Sequence, residues 1–154
     1  MKYKTIGAFK SVQNIPYCKA AADTKVGMGV ILNRVAKTAT VPATTDEAKA
    51  VTYIVTNIND KPEQRNFEET LKVPAGDFVR ADDLRTVNGL EAEFAYSEIK
   101  TDSTTLNVGD ILVFGIGGLL EKVASATGYA TSFKIIAKTA YMNGGVLVEI
   151  ATAQ

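Results

Sequence analysis

The stretch Thr131-Ser132-Phe133-Lys134-Ile135-Ile136-Ala137-Lys138, followed by Met142-Asn143-Gly144-Gly145-Val146-Leu147-Val148-Glu149-Ile150, decides the fold class. Phe133, Ile135 and Ala137 fall on one face of an extended chain, with Lys134 and Lys138 on the other. Asn143-Gly144-Gly145 supplies residues that tolerate positive φ, and Val146, Val148 and Ile150 then alternate against Glu149. This pattern predicts a hairpin joining Tyr129–Ala140 to Val146–Ala151, with Lys134 or Lys138 facing Glu149 across it.

Upstream, Ile111-Leu112-Val113-Phe114-Gly115-Ile116, Gly117-Gly118 and Leu119-Leu120-Glu121-Lys122-Val123 predict a second hairpin. Gly115-Ile116-Gly117-Gly118 has no Lys-Ser/Thr pair after it and no helix pattern, so it reads as a turn and not a phosphate loop. The second hairpin is entered through Val108-Gly109-Asp110. The same punctuation opens Val73-Pro74-Ala75-Gly76-Asp77-Phe78-Val79 and, more loosely, Val26-Gly27-Met28-Gly29-Val30-Ile31-Leu32. Further strands are predicted near Ile6–Val12, Val35–Val41, Val51–Asn57 and Leu90–Ile99. One short helix is predicted over Thr45–Ala50, with Thr45 as N-cap, and a single turn at Asp82-Asp83-Leu84-Arg85. Asn57–Asn66 is the longest polar loop. Short strands punctuated every ten or so residues predict an all-β fold: a compact sandwich or barrel of mainly antiparallel strands with little helix.

The chain has 154 residues, enough for one domain over 1–154 that buries roughly 68–70% of its unfolded surface. It has no histidine and one cysteine, which excludes Ser-His-Asp and Cys-His nucleophile systems, histidine-ligated metals and any internal disulfide. No catalytic residue, cofactor or metal is expected. Seventeen basic residues balance seventeen acidic ones, and the aromatic residues are dispersed, so nucleic acid is not an expected partner. No apolar run is long enough for a membrane span and no targeting segment is visible. The distribution of charge is less even. Residues 1–42 hold seven bases against one acid, and residues 43–121 fifteen acids against seven bases. The two regions either neutralise each other within the fold or meet across a subunit boundary.

Several residues invite a chemical reading. Glu91 and Glu93, two apart on a predicted strand, place two carboxylates on one face about 6.5–7 Å apart. Such a pair can hold a metal or do acid/base work, the hydrolase alternative, but it also suits a solvated face with Ala92, Phe94 and Tyr96 turned inward. Asp82 and Asp83 add oxygen donors without forming a calcium loop. Cys18 has nothing to activate it and reads as a structural thiol.

Taken together, Val26–Asn33, Ala50–Asn57 with Asp60-Lys61-Pro62-Glu63, Val73–Ala81, Val108–Val113, Thr127-Gly128-Tyr129 and the closing hairpin resemble the head-decoration, or capsid cement, proteins of tailed bacteriophages. The resemblance covers most of the chain from about residue 24 onward and rests on strand-entry turns. It implies a structural β-protein, not an enzyme, made in the host cytoplasm. Such a protein binds the major capsid protein on the exterior of the virion, as a monomer or as a homo-oligomer (dimer or trimer), and reinforces the shell. Its texture also fits a tail-tube or head-fibre subunit, or a small carbohydrate-binding module, although no tryptophan is present for a sugar platform. Residues 1–22 form a candidate extended arm. Within it Lys2, Tyr3, Lys4, Ile6, Phe9 and Lys10 interleave charge with apolar anchors and are the candidate partner contacts. The alternative is an ordinary first strand of the chain's own sheet.

Overall fold

A computed structural model of the chain describes residues 1–5, 8–58 and 72–153. In chain order the first strands are β1 (Lys2–Tyr3), β2 (Asn14–Ala20), β3 (Thr24–Lys25), β4 (Gly29–Asn33), β5 (Thr38–Thr40), β6 (Tyr53–Val55) and β7 (Lys72–Val73). They are followed by β8 (Phe78–Asp83), β9 (Glu91–Ala95), β10 (Ile111–Phe114), β11 (Leu120–Val123), β12 (Thr131–Thr139) and β13 (Gly145–Thr152). Two short helices, α1 (Ala8–Ser11) and α2 (Thr45–Lys49), interrupt them. The fold is all-β. A six-stranded antiparallel sheet has the order β1-β9-β13-β12-β10-β11, and β2-β5-β4-β6-β8 close into a barrel whose one parallel pair is β2 with β5. β3 and β7 form a separate two-stranded ribbon.

The closing hairpin forms as β12 and β13, with Lys134 opposite Glu149 and Lys138 opposite Val146. Phe133, Ile135, Val146, Val148 and Ile150 are buried, and a bulge at Ile136 shifts the register between Ile135 and Ala137. The turn carries Met142, Asn143 and Gly144 at positive φ. The Gly117-Gly118 hairpin forms as β10 and β11, with Ile111 opposite Val123 and Phe114 opposite Leu120.

The repeated punctuation before strands has one physical cause. In Lys25–Met28, Pro74–Asp77 and Asn107–Asp110 the first carbonyl accepts the fourth N–H at 3.2, 3.1 and 3.1 Å. The third residue is Gly27, Gly76 or Gly109, at φ +87°, +88° and +93°. That is the type II turn, which requires positive φ at its third position. Each turn delivers the chain directly into β4, β8 or β10.

Two cores follow from strand alternation. Tyr53 and Val55 of β6 point into the barrel, where they meet Cys18, Ala20, Val30, Ala39, Val79 and Ala81. Ile54, between them, faces the opposite way into a larger core shared with the sheet. That core contains Phe94, Phe114 and Phe133, in edge-to-face contact at 5.3 Å (Phe94–Phe133) and 5.2 Å (Phe114–Phe133), and it takes Val51 and Leu84 from the barrel side. Each such aromatic pair contributes about 0.5–1.5 kcal/mol beyond its buried area. Sheet and barrel are also joined through their backbones: Gly29 N–H donates to Gly118 O at 2.7 Å, Gly117 N–H to Pro42 O at 2.8 Å and Ala130 N–H to Lys49 O at 2.7 Å.

Several local expectations are corrected. The strand expected over Ile6–Val12 gives way at Ala8–Ser11 to a helical turn. Ile6, Phe9 and Val12 recur every three residues, a helical and not an extended spacing. The N-cap of α2 is Thr44, not Thr45: Thr44 Oγ1 accepts from Glu47 N–H at 3.2 Å while Glu47 Oε2 accepts from Thr44 N–H at 3.2 Å, a reciprocal capping box. The strand expected over Leu90–Ile99 ends at Ala95, where Tyr96–Glu98 form a 3-10 turn. The single turn expected at Asp82-Asp83-Leu84-Arg85 forms two residues later, as a 3-10 turn over Leu84–Val87 capped by Asp83, while Asp82 and Asp83 end β8. Most of the polar loop expected over Asn57–Asn66 lies outside the described residues.

Candidate functional site

Of the six candidate contacts near the N-terminus, three lie along β9. Lys2 and Tyr3 pair in register with Glu93 and Ala92. Lys4 N–H donates to Glu91 O at 2.8 Å, and its Nζ stands 3.0 Å from a Glu93 carboxylate oxygen. The Met1 ammonium pairs with Glu98. Lys10 is exposed at the end of α1, which also contains Phe9; Ile6 lies outside the described residues. β2 forms the barrel wall between β5 and β8. Of the two alternatives for residues 1–22, strands of the chain's own sheets account for Lys2, Tyr3 and Asn14–Ala20.

This docking changes the reading of the paired carboxylates. Glu93 is 7% exposed, because β1 crosses beside it and Lys4 covers it, so the fully solvated face expected for Glu91 and Glu93 is not what forms. Among the described residues no three acidic or thiol side chains gather in a way that could hold a metal ion. Cys18 lies fully buried in the barrel core, and burial pushes its thiol up.

Asp82 and Asp83, adjacent on β8, point to opposite sides and behave oppositely. Asp82 is 1% exposed and accepts from the Tyr3 hydroxyl at 3.3 Å. Its second oxygen lies 3.7 Å from Arg80 Nε, and among the described residues neither of these two buried atoms has a hydrogen-bond partner. Burial raises the Asp82 carboxyl above its usual range and, with the Asp82 charge nearby, pushes the Tyr3 phenol far upward. Burial acts on Asp83 too, but there the Arg85 fork outweighs it and the carboxyl is lowered. Arg85 reaches Asp83 with Nε at 2.9 Å and Nη2 at 2.6 Å.

The same Arg85 builds the most organised polar cluster among the described residues. Tyr53 Oη accepts from Arg85 Nη2 at 2.9 Å and from Arg34 Nη2 at 2.6 Å. Both guanidiniums lie over the Tyr53 ring, 5.5 and 5.8 Å from its centroid. Two cations therefore converge on one phenol at the end of the barrel, and among the described residues only Arg85 of the two has a carboxylate partner.

Arg34 opens the turn between β4 and β5. Asn33 Oδ1 accepts from the N–H groups of Val35 and Ala36 at 3.1 and 2.9 Å, and Lys37 sits at φ +54°. Lys37 O accepts from Lys19 N–H at 2.9 Å, which ties the tip to β2. This bracing leaves Val35 96% exposed. Beside it, Lys19 Nζ lies 5.2 Å from the centroid of the exposed Phe78 ring. Sequence reasoning missed this tip because it ran a strand through Val35. The available signal was Asn33 followed by Arg34-Val35-Ala36-Lys37, an Asx turn carrying two apolar residues between two bases.

The arrangement suits binding through arginine donors and exposed apolar side chains. No helix among the described residues is long and apolar enough to cross a membrane. The chain matches no protein-family model and no curated protein.

Proposed function

We propose that this chain is a structural virion protein that binds the outer surface of a phage capsid and reinforces it. The observation that carries the reading is a β body with two interlocked cores that holds apolar and cationic side chains outward on a braced surface, Val35 foremost. A cement protein needs those properties: a scaffold that does not deform under load, and docking residues already ordered before contact. The strand-entry turns that carry the resemblance to decoration proteins are the turns that build this scaffold, which supports the reading further. In this role the partner is the major capsid protein, the site of action is the exterior of the virion, and copies associate on the shell.

Co-sedimentation tests the proposal. The protein should pellet with empty assembled shells and raise their thermal midpoint, and should not form a complex with unassembled capsid subunits. Equal binding to both, or to neither, contradicts it. Polymerisation of the chain into tubes by itself would point instead to a tail-tube subunit.

A further inference from the structure

We infer that the braced β4–β5 tip and the adjoining β2–β8 surface are the face that docks on the capsid, and that they recognise an acidic protein surface with an apolar contact at its centre. The inference rests on the decoration reading and deepens it.

The surface is continuous. Arg34, Val35 and Lys37 form the tip, and the Lys37 carbonyl holds the Lys19 backbone. The Lys19 ammonium lies over the Phe78 ring, and Tyr17, two residues before Lys19 on β2, is 41% exposed. Three cations and three exposed apolar or aromatic side chains thus line the tip and the adjoining strands β2 and β8.

Its cations stand outside the ion pairs of the described residues. Among the described residues, Lys19, Arg34 and Lys37 make no ion pair. The exposed Asp77 flanks Phe78, and Asp83 is engaged by Arg85. An acidic partner would satisfy these cations at low entropic cost, because Arg34 is held by Tyr53 and the tip backbone by Asn33.

The partner is protein and not nucleic acid because of the apex. Val35 and Ala36 are exposed between Arg34 and Lys37. The apex is aliphatic and offers a phosphate backbone nothing to bind, and the exposed rings of this face, Tyr17 and Phe78, lie on β2 and β8 and not at the apex. It matches a shallow apolar depression rimmed by carboxylates, the common anatomy of a protein interface with a small apolar centre and a charged rim.

The test uses the full chain and two probes. Val35→Asp with Lys37→Glu, Arg34→Glu alone, and a control pair on the sheet, Lys134→Glu with Lys138→Glu, are compared with the unaltered protein for binding to empty shells. The tip variants should keep their thermal midpoints and lose ~10-fold or more in shell affinity, with the control unchanged and the unaltered protein weakened by salt. Tip variants that bind like the unaltered protein, or a control that loses as much, overturn the inference while leaving the decoration reading intact. If the unaltered protein does not bind shells, that reading fails, and a second probe decides the tip on its own. The probe is an acetylated Asp-Glu-Leu-Asp-Glu-Leu amide peptide, set against an oligothymidylate of equal charge and followed by backbone amide shifts. Shifts confined to residues 17–19, 33–37 and 78 with the peptide sustain the recognition chemistry. A larger response to the oligonucleotide, or none to either, overturns it. Self-association that disappears in the tip variants, without any effect on shell binding, makes a second copy the occupant and also overturns it.

Discussion

The core between sheet and barrel holds three phenylalanines in edge-to-face contact with leucines and isoleucines around them, whereas the described residues of the barrel interior bury valine, alanine and Cys18 around Tyr53, with Ile15 and Leu32 half-buried against them. Both are made by alternating strands, and the difference lies in the space they enclose. Barrel diameter grows with strand number, so a five-stranded barrel is filled mainly by small side chains around the Tyr53 ring. A sheet laid against a barrel wall leaves a wider gap that aromatic rings can fill. The contrast suggests a division of labour: the large core supplies most of the stability, and the tightly filled barrel supplies the shape of the outward tip. Asp83 and Tyr53 hold Arg85 and Arg34 at the end of this narrow barrel.

The largest effect that would sharpen the contrast is Phe133→Ala, which removes both ring contacts at once. It should cost about 3–5 kcal/mol in denaturant unfolding. A loss below about 1 kcal/mol would mean that the sheet-side core is not the main source of stability. Next comes Gly29→Ala at the junction of the two regions. A Cβ there would lie 2.6 Å from the Phe114 ring and 2.8 Å from Val51. The expected cost is about 1–3 kcal/mol, and a neutral result would show the junction to be loosely packed. Ala81→Leu inside the barrel should cost about as much by overpacking, while Leu112→Met in the sheet-side core should stay below about 1.5 kcal/mol. Equal tolerance at both sites would break the comparison.

The smallest effect concerns pH. Burial keeps the Asp82 carboxyl protonated to higher pH in the folded chain than in the unfolded one, whose ordinary value is 3.8. The folded state therefore holds the extra proton. The stabilisation is complete below the ordinary value and is lost as pH rises through the raised one. Asp83 has the opposite sign: its contribution is complete above the ordinary carboxylate value and is lost as pH falls through its lowered one. Asp82→Asn should flatten the decline of thermal midpoint with rising pH in the mildly acidic range. Asp83→Asn should remove the loss of stability at more acidic pH. An unchanged profile in either variant contradicts the assignment.

The parts of the fold that were legible in the sequence are those written locally. The two hairpins and the three type II turns depend on residues a few positions apart, and alternation alone named Phe133, Ile135, Val146, Val148 and Ile150 as inward. The division into sheet and barrel was not legible, because Tyr53-Ile54-Val55 is buried on both faces and carries no alternation to reveal it. Glu93 was misread for a related reason: the strand that covers it is 90 residues away in sequence, and only two residues long. The arginine cluster draws on positions 34, 53 and 85, which no spacing rule connects. Its one local clue was the Asn33 turn.

Hydrogen exchange of the shell-bound protein against the free protein decides whether the barrel tip is the docking face, because it reads sheet and barrel in the same sample. Docking through the tip brings new protection in peptides covering residues 14–20 and 29–40, with the outer strands 111–123 and residues 131–139 unchanged. Protection concentrated on residues 111–139 with an unaltered barrel tip, or no protection at saturating shell, would contradict it.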